Sequence, residues 1–303
     1  LPGDTGSTFA RENADSFDEA GEGIARPSPE LAYPILRDAI WRWGGENVLL
    51  VIDIGNTNTT LGVYEGEELK AHWRIQSDRE KSADEYGVLL LQLFAHKGLD
   101  PKAVTAVAIA CVLPPVLPVF ERMAQSYFGV QPLVVTHDID TGLVIRYQPP
   151  RDVGADRIVN AVAAKAKYPL PAIVVDLGTA TTFDCISAEG EYLGGAICPG
   201  VAISLEALFE RASKLPRISL ADPGSAIGTN TVHSIQAGIV YGTAGEVDAI
   251  VRAIKKEMQG DPIVIATGGM SQALARYCTT VDVIDELLTL DGLRLIYERN
   301  KGR

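Results

Sequence analysis

Three stretches of this chain have residue types and spacing suited to phosphate chemistry. Asp53-Ile54-Gly55-Asn56-Thr57-Asn58-Thr59-Thr60 follows the apolar run Val48-Leu49-Leu50-Val51-Ile52. Asp176-Leu177-Gly178-Thr179-Ala180-Thr181-Thr182 follows Ala172-Ile173-Val174-Val175, the two aspartates lying 123 positions apart. Each reads as a buried strand ending in aspartate, a glycine turn and a hydroxyl-rich return strand. Glycine lets the backbone turn tightly and bring its N–H groups close to phosphate oxygens. Asn and Thr side chains add short donors. Aspartate at the strand end can hold Mg²⁺ through water, because magnesium gives up its hydration shell reluctantly. One such turn alone reads equally as an Asn- and Thr-rich β-turn; the second copy favours the phosphate reading. Their separation is too long for a solenoid period and points to two similar half-domains facing each other.

The third stretch is Ile265-Ala266-Thr267-Gly268-Gly269-Met270, a strand leading into a helix. Such a turn lets a base or ribose lie against backbone, with phosphate near the helix N-terminus; an ordinary β–α turn reads the same way. No GxxxxGK[ST] pattern is present, and Gly55 opens a hairpin rather than a helix, so neither a P-loop nor a dinucleotide fingerprint applies.

The elements around these stretches alternate between strand and helix. Strand patterns occupy 48–53, 58–64 and 69–75. Ser82-Ala83-Asp84-Glu85 is a capping-box signature, and apolar residues at helical spacing carry that helix to Lys97. A buried strand over 104–110 precedes Pro114 and Pro115, which open a helix through Phe128. Residues 156–167 read as a helix joining the halves. Strands at 172–176, 180–187 and 191–198 repeat the first half. Helices follow at 201–212 and 231–258, then a strand at 262–266 and a closing helix after Leu287. Asp285-Glu286 reads as a solvated turn that caps that helix.

Residues 1–46 are rich in Pro, Gly and acidic side chains, which predicts disorder to about Leu31 and a short helix over 31–43. The domains expected are therefore this segment, a lobe over 47–160 and a lobe over 161–303. The net charge of −12 argues against nucleic-acid or anionic-membrane partners. No apolar run reaches the ~18–20 residues needed to span a bilayer. Cys111, Cys185, Cys198 and Cys278 form no CxxC pair and read as reduced thiols of a cytoplasmic protein. Of four histidines, His233 alone lies near a motif and reads as a helix-face residue.

The two hairpins and the late Gly-Gly turn, in this order, resemble the superfamily of acetate and sugar kinases, Hsp70 and actin. The chain resembles type III pantothenate kinase more closely. Asp53–Thr60 is similar to that family's first ATP hairpin and Asp176–Thr179 to its second. Gly154-Ala155-Asp156-Arg157 is similar to its GADR motif, preceded by Tyr147 at the family's spacing. Gly228-Thr229-Asn230-Thr231 is similar to its substrate loop. The similarity runs from about Val48 to the C-terminus.

The resemblance implies an α/β protein with two similar lobes of the actin-like ATPase (ribonuclease H-like) fold and a nucleotide cleft between them. It implies ATP-dependent phosphorylation of the primary hydroxyl of pantothenate, the opening step of coenzyme A synthesis. Asp156 would be the base that accepts the hydroxyl proton. Asp53, Gly55, Asn56, Thr57, Asn58, Thr59, Thr60, Thr179, Gly268 and Gly269 would hold ATP. Tyr147, Gly154, Ala155, Asp156, Arg157 and Thr231 would contact pantothenate. Asp53 would hold Mg²⁺ through water, and Asp176 a monovalent cation, K⁺ or ammonium. A homodimer is implied as well. The alternatives are an ATP-binding regulatory protein on this fold and a kinase for another small hydroxyl substrate. Retention of Asp53, Asp156 and Asp176 weighs against the first. Tyr147, the 154–157 motif and Thr231 weigh against the second.

Overall fold

Strand alternation decides how the layers form. In β1 (Val48–Ile54), Val48, Leu50, Ile52 and Ile54 enter one core, and Leu49 and Val51 enter another. Successive side chains of a strand point to opposite faces, so Asp53 faces the side of Leu49 and Val51. The computed structural model describes residues 48–212 and 215–302, which belong to one compact unit. The helix expected over 31–43, and the disorder expected before it, lie outside the described residues.

β1 pairs antiparallel with β2 (Asn58–Glu65), which pairs antiparallel with β3 (Glu68–Gln76). β4 (Val104–Cys111) runs parallel to β1, and the two-residue β5 (Leu133–Val134) completes the sheet in the order β3-β2-β1-β4-β5. Its outer face is covered by α1 (Ala83–Lys97) and α2 (Leu117–Met123), through residues such as Tyr86, Leu90, Phe94 and Phe120. α1 starts in the predicted capping box: Glu85 N–H donates to Ser82 Oγ, and Ser82 N–H donates to Glu85 Oε2. It ends at Gly98, whose φ is +68°.

The helix predicted over 114–128 is not continuous. Residues 114–116 form a single 3₁₀ turn, α2 follows, and Ala124–Phe128 widen into a π turn that closes at Gly129. Pro114, Pro115 and Pro118 lack backbone N–H donors, so regular pairing begins only beyond them.

The second sheet has the order β11-β10-β7-β8-β9-β6. β7 (Ala172–Leu177), β8 (Ala180–Ile186) and β9 (Glu191–Pro199) form an antiparallel meander like β1–β3. β10 (Ile263–Thr267) runs parallel to β7, as β4 does to β1. Short β6 (Val144–Ile145) and β11 (Val283–Ile284) sit at the edges. Ile173, Val175 and Leu177 enter an outer core with α4 (Val201–Arg211), α5 (Thr231–Glu257) and α6 (Ser271–Leu274). Ala172 and Val174 enter the same core as Leu49 and Val51, so Asp176 faces that shared side.

The shared core is a central layer. Ile158, Val159 and Ala161–Ala164 of α3 (Ala155–Lys167) pack there with Leu288, Leu290, Leu293 and Ile296 of α7 (Leu288–Asn300). Each fully buried aliphatic side chain contributes about 1.5–3 kcal/mol. Polar ties reinforce the layer: Tyr64 Oη donates to Asp291 Oδ1 at 2.7 Å, and Lys167 pairs with Asp285 at 2.6 Å and with Asp291. Asp285 is thus not a simple solvated turn residue. It accepts from the Leu287 N–H before α7 and also from Tyr168 Oη at 2.8 Å.

Candidate active site

The first hairpin is braced from within and from behind. Gly55 N–H donates to the Asn58 carbonyl at 3.0 Å, closing the turn. Ser77, just past β3, donates its hydroxyl to the Gly55 carbonyl at 2.7 Å and its N–H to the Thr57 carbonyl at 3.0 Å. Its Oγ lies 2.8 Å from that of buried Thr59. The turn residues Asn56 and Thr57 stay exposed. Ser77 is a site residue the sequence reading missed, since a lone serine after a strand carries no signal of its own.

The second hairpin meets the first. Thr179 Oγ1 donates to Thr57 Oγ1 at 3.0 Å, linking residues 122 apart in sequence. Gly178 N–H donates to the Ala180 carbonyl at 3.1 Å, and Gly200 N–H to the Thr179 carbonyl at 3.2 Å. The Gly-Gly turn completes the cluster. Gly268 has φ of +89°, a conformation open to glycine, and a methyl group there would overlap the Asp176 carboxylate. Met270 N–H donates to the Leu177 carbonyl at 3.1 Å, holding that turn against β7.

Three carboxylates face this space. Asp53 ends β1, Asp176 lies near the end of β7, and Asp156 occupies the first turn of α3 in the central layer. Burial, then the charges of Asp156 and Asp176, hold Asp53 well above the usual carboxylate range; the Arg74 charge opposes them. Asp176 is pushed up to about 7 by burial and the Asp156 charge, against a hydrogen bond from Asn160. Burial also raises Asp156, while the Arg157 N–H, donating to Asp156 Oδ1 at 2.8 Å, and the Arg157 charge pull it down.

The carboxylates differ in their partners. Asp53 Oδ1 is buried with no hydrogen-bond partner among the described residues. Asp176 Oδ2 accepts from Asn160 Nδ2 at 3.0 Å, and Asn160 Oδ1 accepts from Thr289 of α7 at 2.7 Å. Asn160 is four residues after Asp156 on α3, so one helix face carries both. The sequence reading missed Asn160 because its partners lie 16 and 129 residues away. Among the described residues no three His, Cys, Asp or Glu side chains converge as metal ligands. An orphaned carboxylate oxygen beside glycine-turned hairpins suits a cation that keeps much of its water shell, as Mg²⁺ does.

Arg157 is buried rather than on the surface. Its Nε donates to Asp184 Oδ1 at 2.6 Å and a terminal nitrogen to the Phe183 carbonyl at 3.1 Å. Tyr192 Oη also donates to Asp184 Oδ1, at 2.8 Å. The same stretch of β9 brings Tyr147 close: a methyl group at Gly194 would sit 3.2 Å from the Tyr147 ring, and one at Gly195 would sit 3.4 Å from Arg157. Gly154 and Ala155 form the start of α3, next to Asp156. Thr231 stands apart. It is exposed at the first turn of α5, where Asn230 caps the helix through the His233 N–H, and no hydrogen bond ties it to the carboxylates. His233 also pairs through its ring with the Pro223 carbonyl, in keeping with a helix-face residue.

Two glycine hairpins from similar sheets, a Gly-Gly turn and facing carboxylates define a two-lobed phosphotransferase of the actin-like ATPase fold. The chain matches the family model described as type III pantothenate kinase over residues 49–253. It is 55% identical over 254 residues to a type III pantothenate kinase of Anaeromyxobacter sp. (strain Fw109-5), covering 84% of this chain and all of the relative. It is 52% identical over 254 residues to that of Myxococcus xanthus, covering 84% and 99%. The chain belongs to the type III pantothenate kinase family. Among solved structures, a putative Baf family transcriptional activator from Campylobacter jejuni matches with TM-score 0.52 at 20% identity, covering 84% of this chain and all of that one. An activator of 2-hydroxyisocaproyl-CoA dehydratase from Clostridium difficile, with bound ADPNP, matches with TM-score 0.51 at 16% identity, covering 83% and 95%. At these identities the two structures speak for the fold alone.

Proposed function

We propose that this chain transfers the terminal phosphoryl group of ATP to the primary hydroxyl of pantothenate, giving 4'-phosphopantothenate for coenzyme A synthesis. The observation that carries this reading is Asp156 at the first turn of α3, within electrostatic reach of the carboxylates of both phosphate hairpins. The chain's 52–55% identity to type III pantothenate kinases supports pantothenate as the acceptor.

Phosphoryl transfer asks the protein mainly for positioning and charge neutralisation. The remaining backbone N–H groups and exposed side chains of the first turn, Asn56 and Thr57 foremost, and Thr179 of the second hairpin hold the phosphates, with buried Thr59 bracing the turn through Ser77, and the Gly268-Gly269 turn receives the nucleoside. Asp156 accepts the hydroxyl proton, and its raised affinity for protons suits it to that role. Tyr147, Gly154, Ala155 and Arg157 line the acceptor side, with Arg157 held in place by Asp184. Thr231, exposed at the start of α5, is proposed as a further acceptor contact through its hydroxyl, although in this structure it stands apart from the carboxylates. Asp53 would hold Mg²⁺ and Asp176 a monovalent cation. Bound there, these ions offset phosphate charge.

We divide the chain into lobes at about residue 160, within α3. We also propose a homodimer. Among the described residues, seven of the ten exposed large apolar side chains lie between Leu193 and Tyr241, including Leu193, Ile197, Ile203, Leu208, Val232 and Tyr241. Their concentration in one part of the sequence is the observation that motivates the dimer proposal. A monomer in sedimentation at micromolar concentration would overturn it. We place the enzyme in the cytoplasm; the net charge of −12 favours this reading over one with nucleic-acid or anionic-membrane partners.

The test is ADP release from MgATP with and without pantothenate, in potassium and in sodium buffer. Release that requires pantothenate and is faster in potassium is the expected result. Release without pantothenate, or none with it, overturns the assignment of the acceptor.

A further inference from the structure

The ATP site just described holds three carboxylates, and a polyphosphate adds more negative charge. Bound ions offset part of that charge, and a protein cation facing it would offset more; the arginine of the acceptor motif is already engaged. Arg157 is buried and paired with Asp184 at 2.6 Å.

Strand register singles out another arginine. Asp53 of β1 is opposite Thr60 of β2, and Thr60 is opposite Arg74 of β3. Directly opposed residues of antiparallel strands project to the same face. Asp53, Thr60 and Arg74 therefore form one row across the sheet, all facing the cleft side. Arg74 is exposed, and among the described residues it has no ion pair or hydrogen bond. Its charge reaches both Asp53 and Asp176.

The guanidinium crosses to the other sheet. It lies against Gly269, where a methyl group would overlap it. A glycine there leaves room for a planar guanidinium directly over the backbone of the Gly-Gly turn. Arg74 thus stands between the Asp53 hairpin of one sheet and the nucleoside turn of the other.

We propose that Arg74 binds the polyphosphate of ATP, its guanidinium spanning the gap between the first hairpin and the Gly268-Gly269 turn. Arginine suits this position because its fixed fork of donors matches two phosphate oxygens at once and keeps its charge at any working pH. The proposal rests on the ATP-dependent reading above, yet its test needs no acceptor.

The test is calorimetric binding of MgATP, MgADP and adenosine to the wild-type protein, Arg74→Gln and Arg74→Lys. Arg74→Gln is expected to weaken MgATP by about 30-fold or more, to weaken MgADP less, and to leave adenosine within twofold. Arg74→Lys, which keeps the charge and loses the fork, falls between. Unchanged MgATP affinity in Arg74→Gln overturns the proposal. So does an equal loss for adenosine and MgATP, which would make Arg74 a contact to the nucleoside or a brace between the sheets. Melting temperature, read without ligand, identifies a variant weakened by misfolding; in that case Arg74→Lys alone decides. Pantothenate-dependent ADP release by the wild-type protein is measured in parallel. Its failure would remove the acceptor and leave the Arg74 result standing.

Discussion

The two hairpins are built alike and finished differently. Each ends a buried central strand in an aspartate on the face of the shared core, turns at a glycine and returns through threonines: Thr60 opposite Asp53, Thr182 opposite Asp176. In the first, Asp53 Oδ1 is buried with no partner among the described residues. In the second, Asn160 holds Asp176 Oδ2 and is held in turn by Thr289. One carboxylate oxygen is left unpaired; the other carboxylate is tied to α3, the helix that carries Asp156. Local sequence sets the shared scaffold, and contacts from distant helices set the difference.

The largest expected effect breaks the first hairpin. Asp53→Asn keeps the shape of the side chain and removes the charge, so turnover should fall about a thousandfold. Rates measured across a Mg²⁺ titration should also lose their steep dependence on the metal. A variant with normal rate and normal Mg²⁺ dependence would show that Asp53's missing partner is not a cation.

The next effect removes the tie of the second hairpin. Asn160→Leu leaves Asp176 Oδ2 and Thr289 without their shared partner in a buried setting. Loss of such a bond costs about 1–3 kcal/mol, read as a lower denaturant midpoint. Activity should fall with it, and more potassium should be needed for half-maximal rate. Stability loss with an unchanged potassium requirement would make Asn160 a packing residue alone.

A smaller effect runs in the opposite direction. Asp176 binds its proton more tightly folded, at about 7, than unfolded, near 3.8. Between those values the native state holds more protons than the unfolded state, so this group makes stability fall as pH rises from about 4 to 7. Asp176→Asn should therefore stabilise the protein at pH 7.5 by on the order of 2 kcal/mol, in buffer free of nucleotide and divalent cation. The same variant should gain little at pH 4. Chemical denaturation at the two pH values checks this; an equal gain at both would deny that burial strains the charged form.

Much of this site was legible from residue order. Asp53, Gly55 and the threonines after them reveal a hairpin because strand, turn and return are contiguous. Asp176 and Gly178 repeat it, and Ser82-Ala83-Asp84-Glu85 marks a helix start that the hydrogen bonds of α1 match. What was not legible depends on register and on distant partners. Arg74 looks like one charge on an edge strand until pairing sets it level with Asp53. Asn160 and Asp184 look like ordinary polar residues until their helix or strand is packed. Asp285 read as solvated because Lys167 and Tyr168 lie more than a hundred residues away. The helix at Pro114 read as continuous because proline is tolerated in a first turn, while three prolines within five residues delay regular pairing.

The most direct test of the central claim, that Asp156 performs chemistry while the hairpins hold nucleotide, is Asp156→Asn measured two ways. Turnover with saturating pantothenate and MgATP should fall by about 10²–10⁴, and the dissociation constant for MgATP should stay within threefold. Near-normal turnover would contradict the claim outright. An equal collapse of turnover and nucleotide affinity would place Asp156 among the nucleotide ligands rather than at the reacting hydroxyl.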